Sequence, residues 1–551
     1  MKSDSIKNPS GGSGRSFVSG VIFLSLSTLV VKIIGLAYKI PMLSLLGAEG
    51  MGYFNSAYEI YALLCVISTA GLPVALSILV SADAESGRWQ RVERIYRTAM
   101  ALFGVIGGVG CIFMIAFAPR ISGFIESPES VGAVAAIAPS LLFVCIASAV
   151  RGYFQGLSRM TPTALSQLIE AFAKLILGVW FAREAIARGR GIAEAAAFAV
   201  LGLSVGTLLS ALYLLILKAI NNKKRSARVE DSRNAERINI TGALLKIALP
   251  ITLGSALLGF TRVIDMALIM RRLQDIGYTA AGANSVYGAY TTLAVPIFGL
   301  IPSLITPISL ALVPRLSSAI EVGSLDSQSS VVSASLRMTV LLAMPASMGV
   351  AIYARQILEL LFSGQSDAID TSAPLLSLLG ISILFSCLIT TANAILQSYR
   401  QTSKPIIAMA VGSAVKVLVA YTLIGSPSVG VWGAPISTLL CDVTVTAIDV
   451  YYIHKYVPRS DGISRIYLKP AAASVLMSAL SFAAYLWICS RLESTTISFA
   501  IALILAVAAY FILSLIFGAV SREDIMMLPF GERISSIIEK MGFWRSRCNK
   551  Y

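Results

Sequence analysis

The chain has 551 residues, of which 56% are hydrophobic and 13% are charged, and its mean hydropathy is +0.79. A globular core cannot bury that much apolar surface, so a soluble globular protein is excluded and an integral membrane protein is predicted. The formal net charge of +15 does not indicate a nucleic-acid partner, because the Lys and Arg residues concentrate in short segments beside apolar runs.

The first 15 residues are polar and are predicted to form a cytoplasmic tail. They contain no apolar region followed by a small-residue cleavage site, so no cleaved signal peptide is expected.

Apolar segments of about the length that crosses a bilayer as a helix recur along the whole chain. The fourteen predicted helices are 16–45, 53–81, 98–119, 131–153, 161–182, 193–217, 240–270, 283–313, 332–353, 373–397, 405–425, 431–453, 467–490 and 496–519. The fold class is therefore all-α, an integral membrane protein with fourteen transmembrane helices.

The connecting segments alternate in positive charge. Most Lys and Arg residues fall on one side, in segments such as 88–97, 218–237 and 455–469. The positive-inside rule makes that side cytoplasmic, and both termini with it.

Two polar turns suggest an internal repeat. The sequence RGYFQGLSRMTPT (151–163) joins predicted helices four and five, and LQSYRQTSKP (396–405) joins helices ten and eleven. Gln155 then corresponds to Gln397, and Pro162 to Pro405 with one extra residue. Any tight connection uses Gly, Ser and Pro, so one matched turn is weak evidence by itself. The equal position in two six-helix units favours a duplication with parallel topology.

The predicted organisation follows from this repeat. It comprises a cytoplasmic tail (1–15), an N-lobe of helices one to six (16–218), a basic cytoplasmic linker (219–239), a C-lobe of helices seven to twelve (240–456), two additional helices (457–520) and a cytoplasmic amphipathic tail (521–551).

Ionisable residues inside the predicted helices are the candidates for function. A charge that faces lipid at the bilayer centre costs roughly 3 kcal/mol or more, so each should face a partner or a wet cavity. The candidate cavity cations are Lys32, Lys39, Arg262, Lys174 and Lys416, and the acids are Glu59, Glu170, Asp265 and Asp442.

Several of these charges could also serve roles besides lining a cavity. The acids could bind a coupling ion or pair with the cations. Lys39 and Arg337 lie near helix ends and could extend to the interface, and Arg262 and Asp265 are three residues apart and could neutralise each other.

Several cations around one cavity would attract an anion, and a pyrophosphate fits best because each cation can neutralise phosphate oxygens. No phosphate loop and no catalytic motif appears, so an enzyme is not expected. His454 is the only histidine and the cysteines have no CxxC spacing, so neither a metal nor another cofactor is expected.

The sequence KIIGLAYKIPMLSLLGAEGMGYFNSAYEIYALLCVISTAGLPVALSILVS (32–81), the RGYFQGLSRMTPT turn and the layout of six, six and two helices resemble a known family. It is the SpoVB/MurJ-type polysaccharide transporters of the multidrug/oligosaccharidyl-lipid/polysaccharide (MOP) exporter superfamily. The resemblance implies a flippase in the bacterial cytoplasmic membrane that carries undecaprenyl-pyrophosphate-linked sugars, typically lipid II, by alternating access.

The resemblance also assigns roles to residues. The family's helix-one motif of a basic residue, two aliphatic residues and Gly matches Lys32 to Gly35. The family's second helix-one cation falls at Tyr38, next to Lys39, and its arginines of helices two and eight fall near Leu64 and Thr291. Arg262 is a candidate substitute for one of these arginines.

The resemblance implies a lipid-linked oligosaccharide and the phospholipid bilayer as partners, with cell-wall synthesis proteins as further candidates. Transport would be coupled to the membrane potential, H⁺ or Na⁺. The alternatives are a flippase for a different lipid-linked oligosaccharide, a cation-coupled multidrug exporter of the same superfamily, and a non-transporting membrane scaffold for cell-wall synthesis. A multidrug exporter would favour acidic and aromatic groups in its cavity, and a scaffold would not need the buried charges.

Overall fold

The computed structural model describes residues 10–226, 240–457, 464–492 and 494–520. Within these ranges the chain is almost entirely helical, and thirteen stretches are long and apolar enough to cross a membrane. The first stretch, Ser27–Glu85, has 59 residues, about twice the length of one crossing, and it contains residues 27–45 of the first predicted helix and all of the second. The predicted all-α membrane fold is confirmed, and the count is consistent with fourteen crossings.

The chain forms two compact units, unit 1 up to Thr292 and unit 2 from Leu293. The α-helices of unit 1 are α1 (Ser10–Thr69), α2 (Leu72–Glu85), α3 (Trp89–Phe124), α4 (Val131–Gly156), α5 (Thr161–Ala187), α6 (Ile192–Ser226), α7 (Ile240–Asp275) and α8 (Ala280–Ala289). A short 3₁₀ helix, Pro128–Ser130, precedes α4, and a π-helical turn, Tyr290–Ala294, follows α8.

Helix α1 contains the first predicted crossing and most of the second. It is interrupted at Gly47, whose φ of 66° and ψ of −179° are accessible only to glycine. The break lies six residues after Pro41, which cannot donate a backbone hydrogen bond within the helix. The chain therefore crosses, bends at Gly47 and continues in the second crossing.

Glycines allow α1 and α8 to pack backbone against backbone in unit 1. A Cβ atom on Gly52 would collide with the carbonyl oxygen of Asn284, and a Cβ on Gly288 would collide with that of Ala48. This close approach brings the polar side chains of α1 within reach of the chain that follows α8.

The α-helices of unit 2 are α9 (Val295–Glu321), α10 (Leu325–Leu361), α11 (Ser366–Ser398), α12 (Ser403–Ile424), α13 (Gly433–Tyr456), α14 (Lys469–Leu492) and α15 (Thr495–Ile516). A 3₁₀ helix, Gly430–Trp432, precedes α13, and a π-helical turn, Ser464–Leu468, precedes α14. The main buried cluster joins residues of α9, α10, α11 and α13, among them Leu316, Val340, Ile395 and Ile453.

The two turns that suggested a repeat have the same backbone geometry. Ser158 (φ 58°) and Arg400 (φ 59°) both adopt the left-handed conformation, three residues after Gln155 and Gln397. In each turn the N–H of the left-handed residue donates to the carbonyl of that glutamine, at 2.8 Å and 2.9 Å. Many helices end in this way, so the geometry matches the predicted correspondence without requiring a duplication.

The two units do not follow the predicted lobe boundary, because α7 and α8 pack with α1 in unit 1. Helix α6 continues to Ser226, into the predicted linker 219–239. Residues 227–239 and the predicted amphipathic tail 521–551 lie outside the described residues. The duplication and the two lobes stay predictions.

Candidate functional site

Lys39 is bound inside unit 1. Its Nζ donates a hydrogen bond to the backbone carbonyl of Thr291 at 2.7 Å. That carbonyl belongs to the π-helical turn after α8, and π-helical turns often occur at functional sites. The alternative that Lys39 extends to the membrane interface is therefore wrong.

Asn55 of α1 fixes the same π-helical turn through its side chain. Its Nδ2 donates to Thr291 Oγ1 at 3.0 Å and to Thr292 Oγ1 at 2.8 Å. Thr291 Oγ1 in turn donates to the carbonyl of Tyr287 at 2.7 Å. Lys39 and Asn55 thus hold one short segment of the chain from two positions on α1.

Lys174 of α5 lies between two aromatic rings of α1. Its Nζ is 5.3 Å from the ring centre of Tyr38 and 4.9 Å from that of Tyr58. Both distances are within the range of a cation–π interaction. Lys174 and Glu59 both interact electrostatically with Lys39, so these three charged groups lie near one another.

Glu170 forms an ion pair with an arginine that the sequence analysis did not select. Arg151 Nη2 donates to Glu170 Oε2 at 2.9 Å, and the same guanidinium donates to Ser166 and Ser210. These contacts join α4, α5 and α6. The structure pairs Glu170 with Arg151, and a role of Glu170 in ion coupling stays a prediction.

Helix α7 adds Arg262, which is exposed, and Asp265, which is half-buried. Arg262 interacts electrostatically with Tyr58, and Asp265 interacts electrostatically with Tyr287. Both charged residues therefore lie near the groups around Lys39 and Lys174. Lys32 lies two turns before Lys39 on the same face of α1, and its side chain is exposed.

The remaining selected charges lie in unit 2. Lys416 of α12 and Asp442 of α13 interact electrostatically. Arg337 of α10 is only 3% exposed, so the alternative that it extends to the interface is wrong.

The structure thus brings together Lys39, Lys174 and Glu59 in unit 1, with Arg262 and Asp265 beside them. We call these five residues the unit 1 charge cluster. The aromatic and amide side chains beside this cluster, Tyr38, Tyr58 and Asn55, were missed as functional side chains because hydropathy analysis selects only charges inside apolar runs. Arg151 was missed although it lies within a predicted helix, because it was assigned to the polar turn that follows.

The described cysteines are Cys65, Cys111, Cys145, Cys387, Cys441 and Cys489, and all are free thiols. The described ranges contain no group of three or more His, Cys, Asp or Glu residues that could hold a metal ion.

Residues 17–320 match the protein family described as "Polysaccharide biosynthesis protein", and residues 276–422 match the family described as "MatE". Stage V sporulation protein B of Bacillus subtilis (strain 168) is 25% identical over 527 residues, covering 94% of this chain and 99% of that protein. The lipid II flippase MurJ of the same organism is 24% identical over 424 residues, covering 74% of this chain and 77% of that protein.

Solved structures show the same fold. A structure of lipid II flippase MurJ in an inward closed conformation superposes with a TM-score of 0.69 at 15% identity, covering 90% of this chain and 98% of that chain. An inward-facing multidrug resistance MATE family transporter of the MOP superfamily superposes with a TM-score of 0.61 at 14% identity, covering 79% and 98%. The resemblance to SpoVB/MurJ-type transporters is confirmed.

Proposed function

Because this chain belongs to the polysaccharide biosynthesis protein family, we propose that it is a flippase for an undecaprenyl-pyrophosphate-linked cell-wall precursor, lipid II. It is a multi-pass membrane protein. We place it in the bacterial cytoplasmic membrane with both termini cytoplasmic, since the basic segments between helices concentrate on one side. Its partners would be the lipid-linked oligosaccharide and the surrounding bilayer.

The observation that carries the proposal is the Lys39 ammonium, held in unit 1 by a neutral acceptor. The Thr291 carbonyl lies where the family resemblance expects an arginine of helix eight, so Lys39 brings a cation to that place. A phosphate oxygen is a stronger acceptor for an ammonium than a carbonyl is, because the hydrogen bond is then charge-assisted on both sides. A pyrophosphate oxygen is therefore a suitable replacement for the carbonyl as the partner of Lys39.

Lys174 contributes charge from a different position. Its contacts with the rings of Tyr38 and Tyr58 are attractive but leave its ammonium charge in place. Lys32 and Arg262, both exposed, extend the positive charge along α1 and α7. Since Arg151 already neutralises Glu170, the cations near α1 outnumber the acids Glu59 and Asp265.

An anionic ligand fits this balance better than the organic cation that a multidrug exporter would carry. The fold alone does not separate the two, because both kinds of transporter superpose on this chain. In the proposed mechanism the pyrophosphate is bound by Lys32, Lys39 and Arg262 in a cavity open to the cytoplasm and released on the outer side after a rocking motion, while the polyprenyl tail stays in lipid. The carboxylates of Glu59, Asp265 and Asp442 are the candidates for coupling to an ion.

The test is to deplete a bacterium of its own lipid II flippase, supply this protein and measure the lipid II that becomes accessible in the outer leaflet. We expect rescue by the wild type and loss of rescue with Lys32→Ala, Lys39→Met and Arg262→Ala at equal membrane abundance. Arg188→Ala is the matched control, because it removes an exposed cation that pairs with Glu184.

Each result has a defined meaning. Absence of rescue by the wild type removes lipid II as the cargo and leaves a different lipid-linked oligosaccharide, which the same assay with other lipid-linked sugars identifies. Full activity of the three cation variants would refute the pyrophosphate site, whatever the cargo.

A further inference from the structure

Asp449 of α13 is a buried carboxyl group whose charge is not compensated by a hydrogen bond. The residue is 0% exposed, and in the described part of the chain neither carboxylate oxygen has a hydrogen-bond partner. Burying an ionised carboxylate without compensation costs several kcal/mol. Asp449 therefore needs a bound proton or cation when it is enclosed in this way.

The packing of unit 2 places Asn393 of α11 at the level of Asp449 on the adjacent helix α13. Ile389 of α11 and Val445 of α13 lie in one buried cluster with Ala408 of α12. A step of four residues stays on the same face of a helix, so this step leads from Ile389 to Asn393 and from Val445 to Asp449. A second cluster joins Ile395 and Ile453 further along both helices, so the two helices run in parallel and Asn393 lies level with Asp449.

Asn393 is also incompletely satisfied. Its Oδ1 is buried and has no hydrogen-bond partner among the residues that the structure describes. Two facing acceptors repel each other, whereas a protonated carboxyl group has an O–H that donates to the amide oxygen. One proton on Asp449 would thus satisfy both groups.

Neither lysine of α12 forms a hydrogen bond with Asp449 in the described part of the chain. On α12, Lys404 Nζ lies 5.3 Å from the ring centre of Tyr452, and Lys416 interacts with Asp442. The remaining titratable groups on these helices are Asp367, Asp370 and Cys387 on α11, Tyr421 on α12, and Cys441, Asp442, Tyr451, Tyr452, His454, Lys455 and Tyr456 on α13 itself.

We propose that Asp449 and Asn393 form a proton-binding site in unit 2. Asp449 takes one proton from hydronium and becomes a neutral carboxylic acid with release of water, and it returns the proton to water in the reverse step. A sodium ion fits less well, because a hard cation needs several oxygen ligands and Ile389, Val445 and Ala408 line the packed faces. The site lies two helical turns, roughly 10 Å, before the end of α13.

The experiment uses the full-length protein in liposomes and a hydrophobic carbodiimide, which reacts with protonated carboxyl groups in apolar surroundings. The reagent adds to the carboxylic acid to form an O-acylisourea, which rearranges to a stable N-acylurea that mass spectrometry assigns to a residue. We expect labelling of Asp449 that falls about tenfold per pH unit above its midpoint, as for a single titrating group. Sodium ions should leave the labelling unchanged.

Three outcomes would overturn the proposal. No labelling of Asp449 at any pH would show that the carboxyl group does not take up a proton. Labelling that is independent of pH would show a permanently neutral structural residue, and labelling suppressed by sodium ions would show a sodium site. Asp442→Asn is the matched control and should retain the label at Asp449, whereas Asp449→Asn should lose it. The assay needs no cargo, so its result is independent of the lipid II test.

Discussion

The ion pair between Arg151 and Glu170 gives the most quantitative prediction. Arg151→Met removes a guanidinium that contacts Glu170 Oε2 at 2.9 Å, Ser166 Oγ at 2.9 Å and Ser210 Oγ at 3.0 Å. Its side chain is 13% exposed and that of Glu170 is 28% exposed. The variant leaves a carboxylate in unit 1 without its cation.

The magnitude follows from these contacts. A hydrogen bond to a charged group contributes roughly 1.5–3 kcal/mol. The two serines keep other partners, because Ser166 donates to the Thr163 carbonyl and Ser210 to the Ser166 carbonyl. The coupling energy between Arg151 and Glu170 should therefore be about 2 kcal/mol, below the ~3–5 kcal/mol cost of breaking a fully buried pair.

The assay is a double-mutant cycle of Arg151→Met, Glu170→Gln and the double variant, measured by reversible unfolding in mixed detergent micelles. The control cycle uses Arg188 and Glu184, whose side chains are 65% and 49% exposed although the contact is 2.8 Å. Solvent screens that pair, so its coupling should be only ~0.3–0.5 kcal/mol.

Equal coupling energies in the two cycles would refute the argument that burial makes the Arg151 pair strong. Transport by Glu170→Gln adds a second criterion. If Glu170 only pairs, the variant retains transport when its membrane abundance matches the wild type. Complete loss of transport under that condition would instead make Glu170 an ion-coupling residue.

Three further predictions concern packing in unit 1. Gly52→Ala places a methyl group against the Asn284 carbonyl and should destabilise the protein by about 1–3 kcal/mol in the same unfolding assay; Gly104→Ala, whose Cβ would meet no atom within 4 Å, should have no such effect. Tyr38→Phe removes a buried hydroxyl that has no hydrogen-bond partner within the described ranges. The free energy of unfolding should therefore stay unchanged or rise slightly, and a clear decrease would contradict this expectation. Lys218→Met removes the ammonium that contacts Glu93 at 3.0 Å, while Arg97 stays paired with Glu93 at 3.4 Å. The variant should lower the unfolding free energy by about 2 kcal/mol, the contribution of a hydrogen bond to a charged group, whereas an unchanged value would show that this contact contributes no stability.

The sequence alone was sufficient for the fold class and the helix positions. Apolar runs of bilayer length must be helical in hydrocarbon, because no water satisfies the backbone there. Turn chemistry predicted the end of α4 near Gly156 and of α11 near Ser398. The break at Gly47 falls in the connection expected between predicted helices 16–45 and 53–81. The break between Thr69 and Leu72, inside predicted helix 53–81, was not predicted, since glycine is also common inside membrane helices.

For the site, the sequence determined which charges need compensation, and the tertiary structure decided how each is compensated. Glu170 and Lys39 read alike as isolated charges in apolar runs, yet the first is bound by Arg151 and the second by a backbone carbonyl of the π-helical turn. The cost of burying a charge depends only on the residue type and depth, which a sequence records. The partner that offsets this cost comes from packing between helices far apart in the chain, which no local pattern encodes.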